Sequence, residues 1–262
     1  MSNQKEVIIQ ARDLTCVFGS GKKRFTAVNH VNFEIFNEEI ISIVGESGSG
    51  KTTLARLLLY LQPVTSGTML FNGKPVTNKQ EHWRKVQAVF QDPYASFNQF
   101  FSVESQLSAC FNLFSEKFSE QEKQTRIDNS LRSVGMEPEE VKEKFPFELS
   151  GGQMQRLLIA RIFLIRPKVL IADEPTSMID ACLRASILDL LLSLKKELNM
   201  CIIFITHDIG LAHYVSDRVF VMCKGAIVET GHPDAIIGNP QHEYTKKLLE
   251  DIPVLHKTWL TD

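Results

Sequence analysis

The fold is decided by residues 40–52, which read Ile40-Ile41-Ser42-Ile43-Val44-Gly45-Glu46-Ser47-Gly48-Ser49-Gly50-Lys51-Thr52. The first five residues form a short, mostly apolar and β-branched run, which is typical of a strand buried in a parallel sheet. The next eight match the pattern G-x-x-x-x-G-K-[ST]. A helix is predicted over residues 51–61, ended by Pro63. A strand, a glycine-rich loop and a helix in this order predict a phosphate-binding loop.

The loop over residues 45–52, called the phosphate loop below, has the groups that bind a nucleoside triphosphate. Its glycines let successive backbone N–H groups face the phosphates, and the helix that follows adds partial positive charge. Lys51 is expected to reach the β- and γ-phosphates, and the Thr52 hydroxyl to coordinate Mg²⁺. A chance match in a flexible loop is the alternative, but the strand before it and the helix after it argue against chance. The predicted cofactors are ATP and Mg²⁺, and the predicted nucleotide-binding residues here are Gly45, Ser47, Gly48, Ser49, Gly50, Lys51, Thr52 and Thr53.

A second buried run, Val169–Ala172, is followed by two acidic residues, Asp173 and Glu174. Asp173 is predicted to hold Mg²⁺ and Glu174 to polarise the attacking water. The alternative is a solvated strand end, which the nearby phosphate loop makes the weaker interpretation. A third apolar run, Cys201–Ile205, also ends at polar residues. Strands that alternate with helices predict a doubly wound parallel sheet, in which ligands bind at the carboxyl ends of the strands.

A third motif, Leu149-Ser150-Gly151-Gly152-Gln153, contains a serine followed three residues later by a glutamine. This spacing is the capping box of a helix N-terminus, so a helix is predicted from Gln153 onward. A serine hydroxyl and glycine amides at a helix start also form a second anion-binding surface. We call these five residues the signature motif.

The chain of 262 residues is predicted to be one nucleotide-binding domain over 1–262. Its middle is more polar and rich in helix patterns, with an amphipathic helix predicted over residues 121–134. We therefore predict an ATP-binding core with a β subdomain over 1–91 and 165–230, a helical subdomain over 92–164 and a C-terminal tail over 231–262.

Charge and composition exclude several classes of protein. Lys and Arg number 29 against 31 Asp and Glu, so there is no overall basic field for nucleic acid, and no nucleic-acid partner is predicted. No run approaches the roughly 18 apolar residues of a membrane span, so any membrane role is expected through partner chains. The five cysteines form no CxxC pair, which favours reduced thiols in a cytosolic protein and no metal site of their own.

The combination of these three motifs resembles the ABC ATPase family, in which Leu-Ser-Gly-Gly-Gln is diagnostic. The resemblance covers nearly the whole chain, and the motifs occur in the family's order. It implies an α/β fold: a P-loop NTPase core with a parallel sheet, an antiparallel β subdomain and an inserted helical subdomain. It also implies that the signature motif of one protomer closes on the ATP of another. Ser150, Gly151, Gly152 and Gln153 would then contact nucleotide across a dimer interface.

The same resemblance assigns roles to single residues. Gln91 matches the glutamine that senses the γ-phosphate, Mg²⁺ and water, and His207 matches the switch histidine. Phe18 matches the aromatic residue that stacks on adenine, and Asp180 would line the dimer interface. Without the family resemblance, Gln91 would be interpreted as a loop residue, His207 as a structural histidine and Phe18 as a core phenylalanine. The implied catalytic residues are Glu174, His207 and Gln91, and the implied metal ligands are Thr52, Gln91 and Asp173.

Three further stretches look like the importer branch for oligopeptides and oligosaccharides: residues 46–49, 90–98 and 242–249. Residues 177–180 and 183–188 are slightly closer to the oligosaccharide importers. The branch implies a second ABC ATPase subunit in a heterodimer, two transmembrane permease subunits and, indirectly, an extracellular solute-binding protein. It also implies a peripheral position on the cytoplasmic face of the cell membrane.

Two alternatives stay open from the sequence. A soluble ABC ATPase that is not coupled to transport is one, although the interval between Gln91 and Leu149 has no long coiled-coil pattern. A regulatory subunit that binds ATP without hydrolysing it is the other. The presence of Glu174, Gln91 and His207 argues against the regulatory subunit.

Overall fold

Two sheets and a group of helices make up the computed structural model, which describes residues 6–177 and 181–250. In chain order the strands are β1 (Val7–Phe18), β2 (Phe25–Phe36), β3 (Ile40–Val44), β4 (Ser66–Phe71), β5 (Lys74–Pro75), β6 (Val86–Val89), β7 (Val169–Asp173), β8 (Cys201–Ile205), β9 (Arg218–Cys223) and β10 (Ala226–Gly231). The α-helices are α1 (Lys51–Leu58), α2 (Lys79–Lys85), α3 (Val103–Ala109), α4 (Glu120–Arg132), α5 (Pro138–Val141), α6 (Gly151–Ile165), α7 (Ala181–Leu198), α8 (Ile209–Val215), α9 (Pro233–Gly238) and α10 (Glu243–Glu250). Short 3₁₀ turns occupy Gly21–Lys23, Tyr94–Ser96, Cys110–Leu113 and Pro146–Glu148.

The larger sheet has six strands in the order β10-β9-β3-β8-β7-β6. The pairs β9–β3, β3–β8, β8–β7 and β7–β6 are parallel, and only the edge strand β10 runs antiparallel to its neighbour. Every residue of β3, β7 and β8 is buried, which explains why these strands are nearly continuous apolar runs in the sequence. Their carboxyl ends lie at one edge of the sheet, where the phosphate loop begins.

The smaller sheet has four antiparallel strands in the order β2-β1-β4-β5. One hydrophobic cluster joins it to the larger sheet through α1, with Leu14, Ile35, Ile43, Leu54 and Ile203 among its fully buried members. The phosphate loop is therefore held between two sheets by a shared core.

Helices α3 to α6 lie between β6 and β7 in the chain and share a second cluster. Ile127 and Leu131 of α4 and Leu157 and Leu158 of α6 are completely buried within it. The cluster extends to α7 and to one face of the larger sheet. The predicted fold class is confirmed: an α/β core with a parallel sheet, an antiparallel sheet and inserted helices.

Several element boundaries differ from the sequence prediction. Helix α1 ends at Leu58 rather than at residue 61, because Tyr60 has a left-handed φ of 55° and the amides of Leu61 and Gln62 both bond back to the Arg56 carbonyl. Pro63 comes after this turn and does not itself end the helix. Helix α6 begins at Gly151 rather than at residue 153. In the part of the chain that the structure describes, no helix has the length and apolar character needed to cross a bilayer.

Candidate functional site

The phosphate loop connects β3 to α1 and is packed so closely that two of its glycines have no room for a side chain. Gly45 has a φ of 151°, and a Cβ there would lie 2.2 Å from the Met222 carbonyl oxygen. Gly50 has a φ of 107°, and its Cβ would lie 2.3 Å from the Ala27 carbonyl oxygen. Glycine is therefore required at both positions by the backbone around the loop.

The second half of the loop is fixed from behind by the turn between β9 and β10. The Gly225 amide donates to the Ser49 carbonyl at 2.9 Å, and the Gly225 carbonyl accepts from the Asn29 amide at 2.8 Å. These bonds link the loop to β2 of the smaller sheet. The backbone amides that would meet phosphate oxygens are thus held in place before any ligand binds.

Lys51 is buried, and its ammonium group is held by the loop itself. Its Nζ donates to the carbonyls of Gly45 at 2.7 Å and Glu46 at 2.8 Å, and lies 3.4 Å from the Ser49 hydroxyl. Burial lowers the pKa of Lys51, while the nearby carboxylates, Glu174 first, act in the opposite direction. A cation that has lost much of its hydration in this way is suited to bind phosphate oxygens.

A cavity of about 570 Å³ opens in front of the loop at the carboxyl ends of β3, β7 and β8. We call it the nucleotide cavity. It brings together most of the residues predicted from the sequence. Its lining consists of Phe25, Ala27, Ser47, Gly48, Gly50, Lys51, Thr52, Thr53, Gln91, Asp173, Glu174 and His207.

Asp173 and Thr52 form the part of the cavity that suits a divalent cation. Burial raises the pKa of Asp173, and a hydrogen bond from the Thr52 hydroxyl acts against that rise. A carboxylate and a hydroxyl are oxygen ligands of the kind that Mg²⁺ prefers. The remaining coordination positions of the ion would be left to phosphate and water. Gln91 is exposed and lines the same cavity.

Glu174 is held in a left-handed conformation, with a φ of 48°, directly after β7. Its amide donates to the Ile205 carbonyl at 2.9 Å, which ties it to the end of β8. Its carboxylate oxygen lies 2.9 Å from Nδ1 of His207. Strain of this kind in a non-glycine residue persists where the surrounding structure determines it, and here the result is an acid–histidine pair that faces the cavity.

The signature residues lie elsewhere. Ser150 caps α6 by accepting from the Gln153 amide at 3.3 Å, and the Gln153 side chain accepts from the Ser150 amide at 2.9 Å. Ser150 is exposed to solvent. Of the residues that the structure describes, none from 150–153 lines the nucleotide cavity. The predicted interface residue Asp180 lies outside the described ranges.

Three other predicted residues are not part of the cavity lining. Gly45 and Ser49 of the loop face β9 and the turn after it, through Met222 and Gly225. Phe18 pairs with Phe25 at the end of the β1–β2 ladder. Phe25 lines the cavity and is 59% exposed, whereas Phe18 is 37% exposed. Phe25 and Ala27 were not predicted from the sequence. Phe18 and Phe25 stand at the two ends of a short connection. This pair of aromatic residues was the feature of the sequence that could have indicated Phe25 as a cavity residue.

A known protein family and a known transport protein both match most of this chain. The family model described as ABC transporter matches residues 28–177, which include the phosphate loop, the acid pair and the signature motif. The oligopeptide transport ATP-binding protein OppF of Streptococcus pyogenes serotype M1 is 40% identical over 258 residues, which cover 95% of this chain and 83% of that protein.

Solved structures are similar over most of the chain. The protein cbiO1 from Clostridium perfringens, part of the ABC transporter complex cbiONQ, has a TM-score of 0.76 and 31% identity, over 95% of this chain and 97% of that one. A dimeric post-hydrolysis state of the ATP-binding cassette MJ0796, bound to ADP and phosphate, has a TM-score of 0.77 and 25% identity. That match covers 86% of this chain and 99% of the cassette.

Proposed function

The chain belongs to the ABC transporter family, and on that premise we propose that it powers the uptake of oligopeptides as one of two ATPase subunits of an importer. The observation that carries the proposal is the nucleotide cavity, in which the phosphate loop faces Asp173 and the Glu174–His207 pair. ATP hydrolysis is the reaction of such a site. The signature motif identifies the ABC type of ATPase.

Six side chains of the cavity are assigned parts in this reaction. Lys51 and the loop amides bind the β- and γ-phosphates, and Thr52, Asp173 and Gln91 are the proposed ligands of Mg²⁺. When bound, Mg²⁺ neutralises charge on the phosphate oxygens. Glu174 is placed to accept a proton from the attacking water. His207 holds the Glu174 carboxylate and lines the same cavity, where it is the proposed contact of the γ-phosphate.

A second ATPase subunit is the first proposed partner. Ser150 is exposed at the N-terminus of α6 and does not face the cavity of its own chain, so a signature motif from another chain is needed to close over bound ATP. The solved cassette bound to ADP and phosphate is itself dimeric. We propose a heterodimer, with Asp180 at the interface and a peripheral position on the cytoplasmic face of the membrane.

Two permease subunits are the second proposed partner. A groove of about 640 Å³ lies between the larger sheet and the helices of residues 92–164, which we assign to a helical subdomain. Its rim carries Phe101, and the neighbouring Phe100 is 87% exposed. In its wall, Ser96 Oγ and Arg161 Nε are buried without a hydrogen-bond partner among the described residues. An apolar groove with exposed aromatic side chains at its rim fits the apolar face of a short permease helix.

The name of the OppF relative favours peptides as cargo, so the slight preference of residues 177–180 and 183–188 for oligosaccharide importers is not carried into the proposal. We propose that a solute-binding protein delivers the peptide from outside. A soluble ATPase without a permease and a regulatory ATP-binding subunit remain the competing hypotheses.

The test is ATP turnover of the purified chain, alone and assembled with its permease and second ATPase. Assembly should raise turnover, and Glu174→Gln should abolish it while trapping an ATP-bound dimer. Glu143→Gln is the matched control, because Glu143 is exposed and does not line the cavity. Fast turnover that no permease changes would favour the soluble ATPase, and ATP binding without any turnover would favour the regulatory subunit.

A further inference from the structure

One part of the chain has no role in the mechanism above: the stretch 242–249, which forms most of α10. Tyr244 of this helix reaches the phosphate loop from a position 198 residues away in the sequence. Its phenolic oxygen accepts a hydrogen bond from the Glu46 amide at 2.9 Å. The C-terminal helix is thus bonded to the second residue of the loop.

Helix α10 is itself fixed to the larger sheet. The Glu229 carboxylate, on β10, accepts from the amides of Gln241 at 2.8 Å and His242 at 3.1 Å, just before the helix starts. Tyr244, Leu248 and Leu249 pack against the cluster that contains Val44, the last residue of β3. The phenol is therefore held in place by the strand that leads into the loop and by β10.

The peptide group that Tyr244 holds also contacts Lys51. The Glu46 N–H, which donates to Tyr244, and the Gly45 carbonyl, which accepts from Lys51 Nζ at 2.7 Å, belong to the same peptide group. A peptide group is planar, so fixing its N–H also fixes the direction of its carbonyl. The position of Tyr244 thus bears on the position of Lys51.

The two halves of the loop are held by different elements. Gly225 bonds to Ser49 in the second half, and Tyr244 bonds to Glu46 in the first half. Behind the loop, a second cavity of about 380 Å³ separates it from α10 and is lined by Glu46, Ser47, Gly48, Ser49, Cys223, Lys224, Tyr244 and Lys247. Across this open space, the Tyr244 hydrogen bond links α10 directly to the loop backbone.

We propose that Tyr244 is a positioning residue for nucleotide binding, which holds the first half of the phosphate loop in the conformation that receives a triphosphate. A loop that is ordered before binding loses less conformational entropy when the ligand arrives. The inference rests on the proposed ATP site. A neutral hydrogen bond contributes about 1 kcal/mol net, which corresponds to a change of about fivefold in affinity.

The experiment measures the Kd of the full chain for a fluorescent, non-hydrolysable ATP analogue with Mg²⁺. Tyr244→Phe keeps the ring and removes only the acceptor, so the analogue should bind about fivefold more weakly. Tyr214→Phe is the matched control, since Tyr214 is 73% exposed and does not touch the loop, and its Kd should equal that of the wild type. Hydrogen exchange of the 45–50 amides without nucleotide should be faster in Tyr244→Phe alone.

The outcomes separate positioning from packing. A folded Tyr244→Phe protein that binds like the wild type overturns the inference, even if its melting temperature falls, because Tyr244 would then serve only to anchor α10. If the wild type itself fails to bind the analogue, the ATP site is wrong, and the inference falls with it. Weaker binding with a nearly unchanged melting temperature supports a positioning role.

Discussion

At the residue scale, Gly48 and Gly50 of the phosphate loop both have positive φ but differ in the space around them. A Cβ on Gly50 would lie 2.3 Å from a backbone oxygen, whereas a Cβ on Gly48 would have no heavy atom within 4 Å. Gly50→Ala should therefore force the loop to move, lowering the free energy of unfolding by at least about 2 kcal/mol. Gly48→Ala should lower the free energy of unfolding by only about 1 kcal/mol, which is the cost of a left-handed conformation for alanine.

Urea unfolding of both variants measures this difference in stability. Equal losses for Gly48→Ala and Gly50→Ala would show that the loop yields easily at Ala27, contrary to the packing described here. Nucleotide binding is not the appropriate measurement for this pair, because Gly48 also lines the cavity and a methyl group there meets the ligand directly.

Phe25 is the aromatic residue expected to stack on the base of the nucleotide. Phe25 lines the nucleotide cavity and Phe18 does not, although the family resemblance points to Phe18. An exposed aromatic ring contributes about 0.5–1.5 kcal/mol by stacking, so Phe25→Ala should weaken ATP binding by roughly threefold to tenfold. Binding of inorganic triphosphate, which has no base, should be unchanged. Calorimetric titration of both ligands provides the measurement.

Phe18→Ala is the matched comparison for Phe25→Ala. If Phe18→Ala weakens ATP binding more than Phe25→Ala does, the aromatic partner of adenine is the residue that the resemblance implies, and Phe25 is only its neighbour on β2. A loss of triphosphate binding in either variant would indicate damage to the loop rather than loss of stacking.

At the scale of single elements, α2 carries a buried histidine that makes stability depend on pH. The His82 Nε2 atom lies 2.8 Å from the Leu58 carbonyl, and its ring packs on Tyr60 and Phe71. Burial lowers the pKa of His82 below its usual value of about 6.5. The unfolded chain therefore binds a proton on His82 that the folded chain does not bind. As a result, the free energy of unfolding falls as the pH drops below about 6.5.

His82→Gln should remove this contribution while keeping a donor toward Leu58. The wild type should lose up to about 1.4 kcal/mol per pH unit more than His82→Gln on acidification from pH 6.5, which is the limit for one proton. Denaturant titrations at several pH values measure both slopes. Parallel curves would mean that His82 takes up a proton inside the fold and that its environment is wetter than the structure indicates.

Element types were predictable from the sequence where one physical cause dominates. Strands β3, β7 and β8 are buried on both faces, so their apolar runs in the sequence are continuous. The ends predicted for these strands agree with the structure to within one residue. The end of α1 was not predictable, because it depends on a left-handed turn at Tyr60 rather than on Pro63. The contact of Tyr244 with the loop was not predictable either, because its bond to Glu46 depends on how β10 and α10 pack.

At the scale of the whole molecule, the chain contains two half-sites that do not meet. The sequence motifs and the rule for parallel sheets predicted that the phosphate loop and the acid pair lie together, and the family resemblance added His207. The structure brings all of these residues into one cavity. The signature motif starts a different helix, and its separation from the cavity could be inferred only from the family. Under the proposed function, one chain would supply a phosphate-binding half and a phosphate-capping half, which suits a pair of chains that exchange them.

This arrangement predicts a separation between binding and turnover. Ser150→Ala should leave the affinity of the isolated chain for ATP unchanged, because Ser150 does not line its own nucleotide cavity. In the assembly with the second ATPase and the permease, the same change should lower turnover at least about tenfold, since one hydrogen bond to a charged γ-phosphate is lost. Equilibrium binding and phosphate release measure the two quantities.

Ser119→Ala is the matched control, because Ser119 caps α4 with the same reciprocal bonds to Glu122 that Ser150 makes with Gln153. Both variants lose a helix cap, at about 1 kcal/mol, so their stabilities should fall together. Only Ser150→Ala should reduce turnover. Equal turnover in the two variants would assign Ser150 to helix capping alone. Weaker ATP binding by the isolated Ser150→Ala chain would mean that the site is completed within one chain, which would remove the structural reason for a pair.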